Sequence, residues 1–267
     1  MTQSSDLSQL LRPGDPPPVS LINENGASPV ILVCDHACNA VPKSLDGLGL
    51  EADLWDHHIA WDRGAAAVTQ ILSDRFDARA IMAGYSRLVI DCNRKLGHET
   101  SIAPMSDGIV VPTNASIAPD EAARRADAIF HPYHHAVEKA IADVRLTGKA
   151  PAIIAIHSFT PEMDGIARPW HVCVLWDSDP RIPKPLMAAL RGHDGIVVGD
   201  NVPYSGREQY GYTIEVHAAA AGLPNVMIEI REDTLRDNAG IERMAEIVGA
   251  SLEGILADPA LYRTEVY

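Results

Sequence analysis

Four positions far apart in the sequence carry chemically capable side chains in one kind of setting. His36 follows the apolar run Val30–Val33, and Asp91 to Arg94 (DCNR) follows Leu88–Ile90. His157 ends the run PAIIAIH, and Glu229 lies inside PNVMIEIR. Short, β-branched apolar runs of this kind suit strands buried on both faces of a sheet. At the carboxyl edge of an open α/β sheet the loops converge on a ligand crevice, which gathers the residues that end such strands. Two imidazoles and a carboxylate brought together there form the donor set of a hydrolytic zinc site with an open position for water. Glu229 is then the candidate general base that takes a proton from that water. The competing reading of Glu229 is an ion pair with Arg231, which shares its strand face. Arg87 and Arg94 suit a substrate carboxylate, because guanidinium binds carboxylate in a planar, two-point fashion. Ser158, beside His157, is a candidate substrate-binding hydroxyl at the same edge.

The elements that must position these residues follow in order. Residues 1–28 are polar and proline-rich (LRPGDPPP) and read as an N-terminal arm on a single domain of residues 29–267. After the VILVCDH strand, Ala52–Asp74 reads as a helical region carrying His57, His58, Asp62 and Arg63 near its beginning. Ala78–Cys92 reads as a strand pair, with Arg87–Asp91 as its second member. Residues 97–119 lack periodicity and are expected to form a loop covering the substrate. Pro119–Leu146 carries the clearest helical pattern, with His131, His134 and His135 assigned to its polar face. Strands at Pro151–Ser158, Trp170–Trp176, Gly195–Asp200 and Pro224–Arg231 follow, then a closing helix over residues 232–256. Tyr212–Gly222, with His217, reads as a strand or a short helix. Strands alternating with helices predict an α/β fold.

Composition narrows the function. A formal net charge of −14 and a pI near 5.1 argue against a nucleic-acid or anionic-membrane partner. The four cysteines lack framework spacing, which fits a reducing cytoplasm. Cys34 and Cys38 bracket Asp35 and His36, but without a second matching pair small buried thiols are favoured over zinc thiolates. No charged leader with an apolar core and no run of spanning length is present, so a soluble cytoplasmic protein is expected. No GxSxG, P-loop or GxGxxG motif anchors an acyl-serine, nucleotide or nicotinamide reading.

CDHACNAVP, HHIAWDRGAAAV, YSRLVIDCNR, IAIHSFTP, GDNVPYSG and NVMIEIRED, in this order, resemble the N-formylglutamate amidohydrolase family over about residues 30 to 235. The resemblance implies a three-layer α/β/α sandwich around a mixed, largely parallel sheet, similar to the zinc-dependent exopeptidases. It implies zinc held by His36 and His157, Asn93 and Arg94 as the carboxylate-holding pair with Arg87 upstream, and Glu229 as the catalytic glutamate. Those exopeptidases follow their first histidine with His-x-x-Glu, whereas the third residue after His36 is Asn39. An asparagine oxygen is a weak neutral ligand, so Asp62 is the expected anionic ligand, with a loosely held metal as the alternative. The histidine-degradation enzymes of the family carry a glutamate where this chain has Ala40, which separates it from them. His217 either polarises the oxyanion or orients a ligand, or else is a helix-start histidine bonded to backbone. The expected function is a metal-dependent amidohydrolase acting on a small N-acyl amino acid. The alternative is a small-molecule binding or sensing protein on a hydrolase scaffold that has lost its chemistry.

Overall fold

The structure, a computed structural model, describes residues 9–208 and 211–267. Its centre is a seven-stranded sheet. In chain order the strands are β1 (Val19–Ile22), β2 (Val30–Cys34), β3 (Arg79–Ala83), β4 (Ala152–Phe159), β5 (Val172–Leu175), β6 (Val198–Asp200) and β7 (Asn225–Arg231). They lie side by side as β1-β3-β2-β4-β7-β5-β6. Pairing is parallel from β3 through β7 and between β5 and β6. It is antiparallel at β1–β3 and at β7–β5, so the sheet is mixed and largely parallel.

Every residue of β2 is buried, as its unbroken VILVC run requires of a strand with both faces covered. Val30 and Leu32 pack on one side with Ile154, Ile156 and Ile228. That side is covered by α1 (Ala65–Phe76), α4 (Pro183–Leu190) and α6 (Asn238–Leu256), through Leu72, Leu186 and Val248 among others. Ile31, Val33 and Ile153 face the opposite side, covered by α3 (His131–Arg145), which α2 (Pro119–Arg125) precedes, and by α5 (Tyr212–His217). The result is the three-layer α/β/α arrangement expected from the sequence. Asp237 caps α6, accepting a hydrogen bond from Gly240 N at 2.8 Å. Among the described residues no helix is long and apolar enough to cross a membrane.

Several local expectations give way. The segment read as an arm supplies β1, which pairs along β3 from Val19↔Ala83 to Ile22↔Ala80. Arg87–Asp91 is not a strand. Arg87 N donates to Ala60 O, Val89 N to Ser86 O and Asp91 N to Ser101 O, so its backbone is satisfied by surrounding loops rather than by a ladder. Leu88, Val89 and Ile90 are all buried inside that loop, which imitates the apolar signature of a strand. Residues 119–145 are helical, but a wide π turn at Ala126–Phe130 separates α2 from α3. Within α3 His134 lies on the buried side with Tyr133, Val137 and Ile141, while His131 and His135 stay exposed. Residues 97–118 include a small hairpin of Met105–Ser106 and Ile109–Val110. The loop meets the cavity rim at Asp107, 3.3 Å from His58 Nε2, while the described cavity lining comes from other segments.

Candidate metal and substrate site

β2 ends at Cys34, and the chain turns immediately through Asp35 and His36. Asp62 N donates to His36 O at 2.9 Å, which ties the loop before α1 to the end of β2. Gly64, two residues further on, lies against the segment that follows β7. Its φ is +79°, and a Cβ there would lie 2.5 Å from Leu235 Cβ. β4 runs beside β2 and delivers His157 two residues before its end. These placements unite the three residues proposed as ligands. Donor atoms of His36, Asp62 and His157 all lie within 4.8 Å of one another, and all three residues are buried. Asp62 Oδ2 stands 3.3 Å from His36 Nδ1 and 2.8 Å from His157 Nδ1. Asn39 is turned away, donating to Trp55 O at 2.8 Å, so the carboxylate position falls to Asp62.

The outer nitrogens of both imidazoles are also engaged by carboxylates. His36 Nε2 is 2.8 Å from Asp91 Oδ1, and His157 Nε2 is 3.0 Å from Asp35 Oδ2. Donation from Nε2–H to a carboxylate is the arrangement that orients a ligating imidazole, with Nδ1 of each ring facing Asp62; loss of the proton from Nδ1 would free that nitrogen for a metal. Two such imidazoles and one carboxylate suit a divalent metal of the zinc kind. Asp35 is itself held, with Oδ1 accepting from Tyr133 Oη at 2.8 Å and from Thr213 Oγ1 at 2.5 Å. Burial alone would raise the carboxyls of Asp62, Asp35 and Asp91, but the histidines reverse the effect. His36 dominates the opposing pull at Asp62 and Asp91, and His157 does so at Asp35. All three carboxyls are held below the usual carboxylate range. Burial likewise opposes the charged form of His157, but its bonds to Asp35 and Asp62 hold its imidazole well above the usual range.

His36, Asp62 and His157 form one wall of a cavity of about 650 Å³. Glu229 lies in it, in register with His157 on β4 and with Cys173 on β5. It is 6% exposed, and its Oε2 has no hydrogen-bond partner among the described residues. Burial pushes its carboxyl up to about 7, with the negative charge of Asp62 adding to the rise and His157 opposing it. Arg231 does not pair with it. That guanidinium holds Asp233 at 2.7 Å and the Arg168 carbonyl at 3.0 Å.

Arg87, Asn93, Arg94 and Ser158 all line the cavity. Arg87 also braces the metal group, with its guanidinium nitrogens 3.1 Å from Asp91 Oδ2 and 3.5 Å from Asp62 Oδ1. Arg94 donates to the Asn93 carbonyl at 2.9 Å. Asn93 is fixed at both ends: its N–H donates to Asp91 Oδ1 at 2.8 Å, and its Oδ1 accepts from Thr213 N at 3.0 Å. Ser158 is engaged as well, its hydroxyl donating to the Arg63 carbonyl at 3.0 Å and its N–H to Asp62 Oδ2 at 3.3 Å. It therefore steadies Asp62 in addition to facing the cavity.

His217 stands apart from these residues. It ends α5 and packs under it, outside the described cavity lining, with its ring stacked on His134. His134 Nε2 is 2.9 Å from the Cys92 carbonyl, so that nitrogen is the donor; His134 Nδ1 then accepts from His217 Nε2 at 2.8 Å. The imidazole pair buttresses the backbone just before Asn93. The sequence reading did not identify Thr213 and Tyr133, whose hydroxyls brace Asp35, or Tyr204 and Trp176 in the cavity wall. Thr213 carries no motif signal, and the helical pattern around Tyr133 marks it only as a core residue.

The profile of the N-formylglutamate amidohydrolase family matches residues 28–236. The chain belongs to that family. It resembles the crystal structure of a gene product of Agrobacterium tumefaciens at 33% identity and a TM-score of 0.88, covering 92% of this chain and 99% of that one. It is also similar in fold to an N-formylglutamate amidohydrolase from Ralstonia eutropha, at 19% identity and a TM-score of 0.64, covering 90% and 97% of the two chains. No curated protein matches the chain. Family membership makes the chain a hydrolase of the N-formylglutamate amidohydrolase type, and every motif quoted above lies within the matched span.

Proposed function

We propose that the protein is a metal-dependent amidohydrolase that cleaves the linear amide of an N-acyl amino acid, releasing a formyl or small acyl group in the simplest case. The observation that carries this reading is the carboxyl of Glu229. It is buried, lacks a partner at Oε2, and sits in register with His157 at the edge of the His36–Asp62–His157 group. An unpartnered buried carboxyl is costly unless a ligand or reacting water completes it.

His36 Nδ1, Asp62 Oδ2 and His157 Nδ1 would hold a divalent ion, zinc by the chemistry of the donors. Bound there, the ion would polarise the amide carbonyl and acidify the attacking water. Arg94, with Arg87 and Asn93, binds the amino-acid carboxylate and orients the amide toward Glu229. Glu229 takes the proton from the attacking water on Oε2 and delivers it to the departing nitrogen, a task suited to a carboxyl near pH 7. His217 orients the loop of Asn93 through His134 and does not touch the substrate. Asp62 supplies the anionic ligand that Asn39 cannot, so the absence of His-x-x-Glu does not argue for a binding protein without catalysis.

The test is amine release from a panel of N-formyl and N-acetyl amino acids, measured before and after chelation, with metal content determined on the same sample. Release that is lost with the metal and restored by adding zinc is the expected result. A protein that holds stoichiometric metal yet releases no amine from any of them would remove this reading.

A further inference from the structure

Building on that reading, we propose that the substrate is an N-acyl amino acid carrying a long apolar group, seated along β7 from Met227 to Asn225. Asn225, Met227 and Glu229 alternate along one face of β7, and all three line the cavity. Val226, Ile228 and Ile230 face the core on the other side. The cavity therefore continues down the strand from the reacting end. From Glu229 to Asn225 it covers four residue steps, roughly 13 Å at 3.3 Å each.

The middle of this extension is apolar, with Asn225 at its far end and Glu215 of α5 as polar members of the lining. Leu175 stands directly opposite Met227 on β5 and lines the cavity, as does Ile214 of α5. Gly211, just before α5, also belongs to the lining, and a Cβ there would come within 3.0 Å of Met227 Cε. Trp176 is held in the wall by its indole N–H, which donates to Asp200 Oδ1 at 2.8 Å. N-formylglutamate has only a formyl group on its nitrogen and a short, charged side chain, so it leaves a channel lined by Met227, Leu175 and Ile214 unfilled. A cavity of about 650 Å³ falls within the range that buries much larger ligands, roughly 300–1,000 Å³. Filling it with a hydrocarbon chain removes apolar surface from water on both partners. The chain can belong to the acyl group or to the amino-acid side chain, since both leave the same amide.

Calorimetric titration of the purified full-length protein tests this with three probes: N-formylglutamate, N-octanoylglutamate and N-formyl-2-aminodecanoate. At least one long-chain probe is expected to bind tenfold or more tightly than N-formylglutamate, and whichever gains identifies the part of the substrate that enters the channel. If neither gains, the proposal is overturned. Met227→Trp, which fills the channel, is expected to reduce that preference to threefold or less, while Met227→Leu keeps it. The preference is a ratio within one protein and does not depend on folding yield. A preference that survives Met227→Trp intact would also overturn the proposal, because the chain would then lie elsewhere. Tight long-chain binding without amine release in the presence of zinc would support the channel and remove the hydrolytic reading instead.

Discussion

Glu229 and His157 are register partners on adjacent parallel strands, so the candidate base and a candidate metal ligand are fixed relative to each other by the sheet itself. Neither depends on a flexible loop for its position. Arg231, the side chain that could have made Glu229 an ordinary surface partner, is committed to Asp233.

This relationship makes Glu229→Gln informative. The amide keeps the shape and hydrogen-bonding room of the carboxyl but cannot take a proton. Turnover should fall by roughly a hundredfold to ten-thousandfold, with substrate affinity largely kept. Steady-state kinetics on a well-folded variant checks it, and near-normal turnover would exclude Glu229 as the base.

Alanine at His36 or at His157 removes one nitrogen donor from the three-residue group. Each variant should purify without stoichiometric metal and keep its circular dichroism spectrum, because strands β2 and β4 are held by apolar packing on both faces. Full metal content in both variants would show that the ion binds elsewhere.

The Thr213 hydroxyl reaches the metal group through Asp35. Thr213→Val preserves shape but deletes the hydroxyl that Asp35 accepts, leaving Tyr133 as the remaining brace on that oxygen. Metal affinity, measured by competition with a chelator, should drop about 10- to 100-fold, the usual effect of losing support behind a ligating histidine. Thr213→Ser should restore it. An unchanged affinity in the valine variant would make Thr213 a packing residue only.

His134 supplies a pH dependence with a definite sign. Burial lowers its imidazole to about 4, against roughly 6.5 in the unfolded chain. Between those values the unfolded state binds more protons, so stability is complete above about pH 6.5 and declines as pH falls toward 4. The shift corresponds to something on the order of 3 kcal/mol. Urea melts across that window should show the decline, and His134→Gln should flatten it. An equal slope in both proteins would assign the loss to other groups.

The apolar runs that form β2, β4 and β7 were readable because strands buried on both faces must be apolar almost without interruption. Their interruptions, His36, His157 and Glu229, therefore stood out. Asp62 was harder to see. It comes from a loop, and its place beside the histidines depends on the bond from its N–H to His36 O. Local sequence carries little trace of that bond. The misread strand at Arg87–Asp91 has the same origin, since a buried loop saturated by its neighbours shows the same apolar residues as a ladder. His134 reads as a polar-face residue by its type, but it precedes Val137 and Ile141 at helical spacing and so stands at the margin of the buried stripe. The partner of His217 is His134 on α3, a pairing that the residues around His217 do not reveal.

The antiparallel pairing of β1 with β3 has a consequence for the whole sheet. A chain trimmed to begin at residue 28 would retain every proposed ligand and the complete family span, yet would leave the outer backbone of β3 without its partner. An open, half-buried edge of that kind is a template for another chain to join by strand addition. The proline-rich N-terminal segment thus makes a strand of only four residues, β1, the edge on that side of the sheet, opposite β5 and β6.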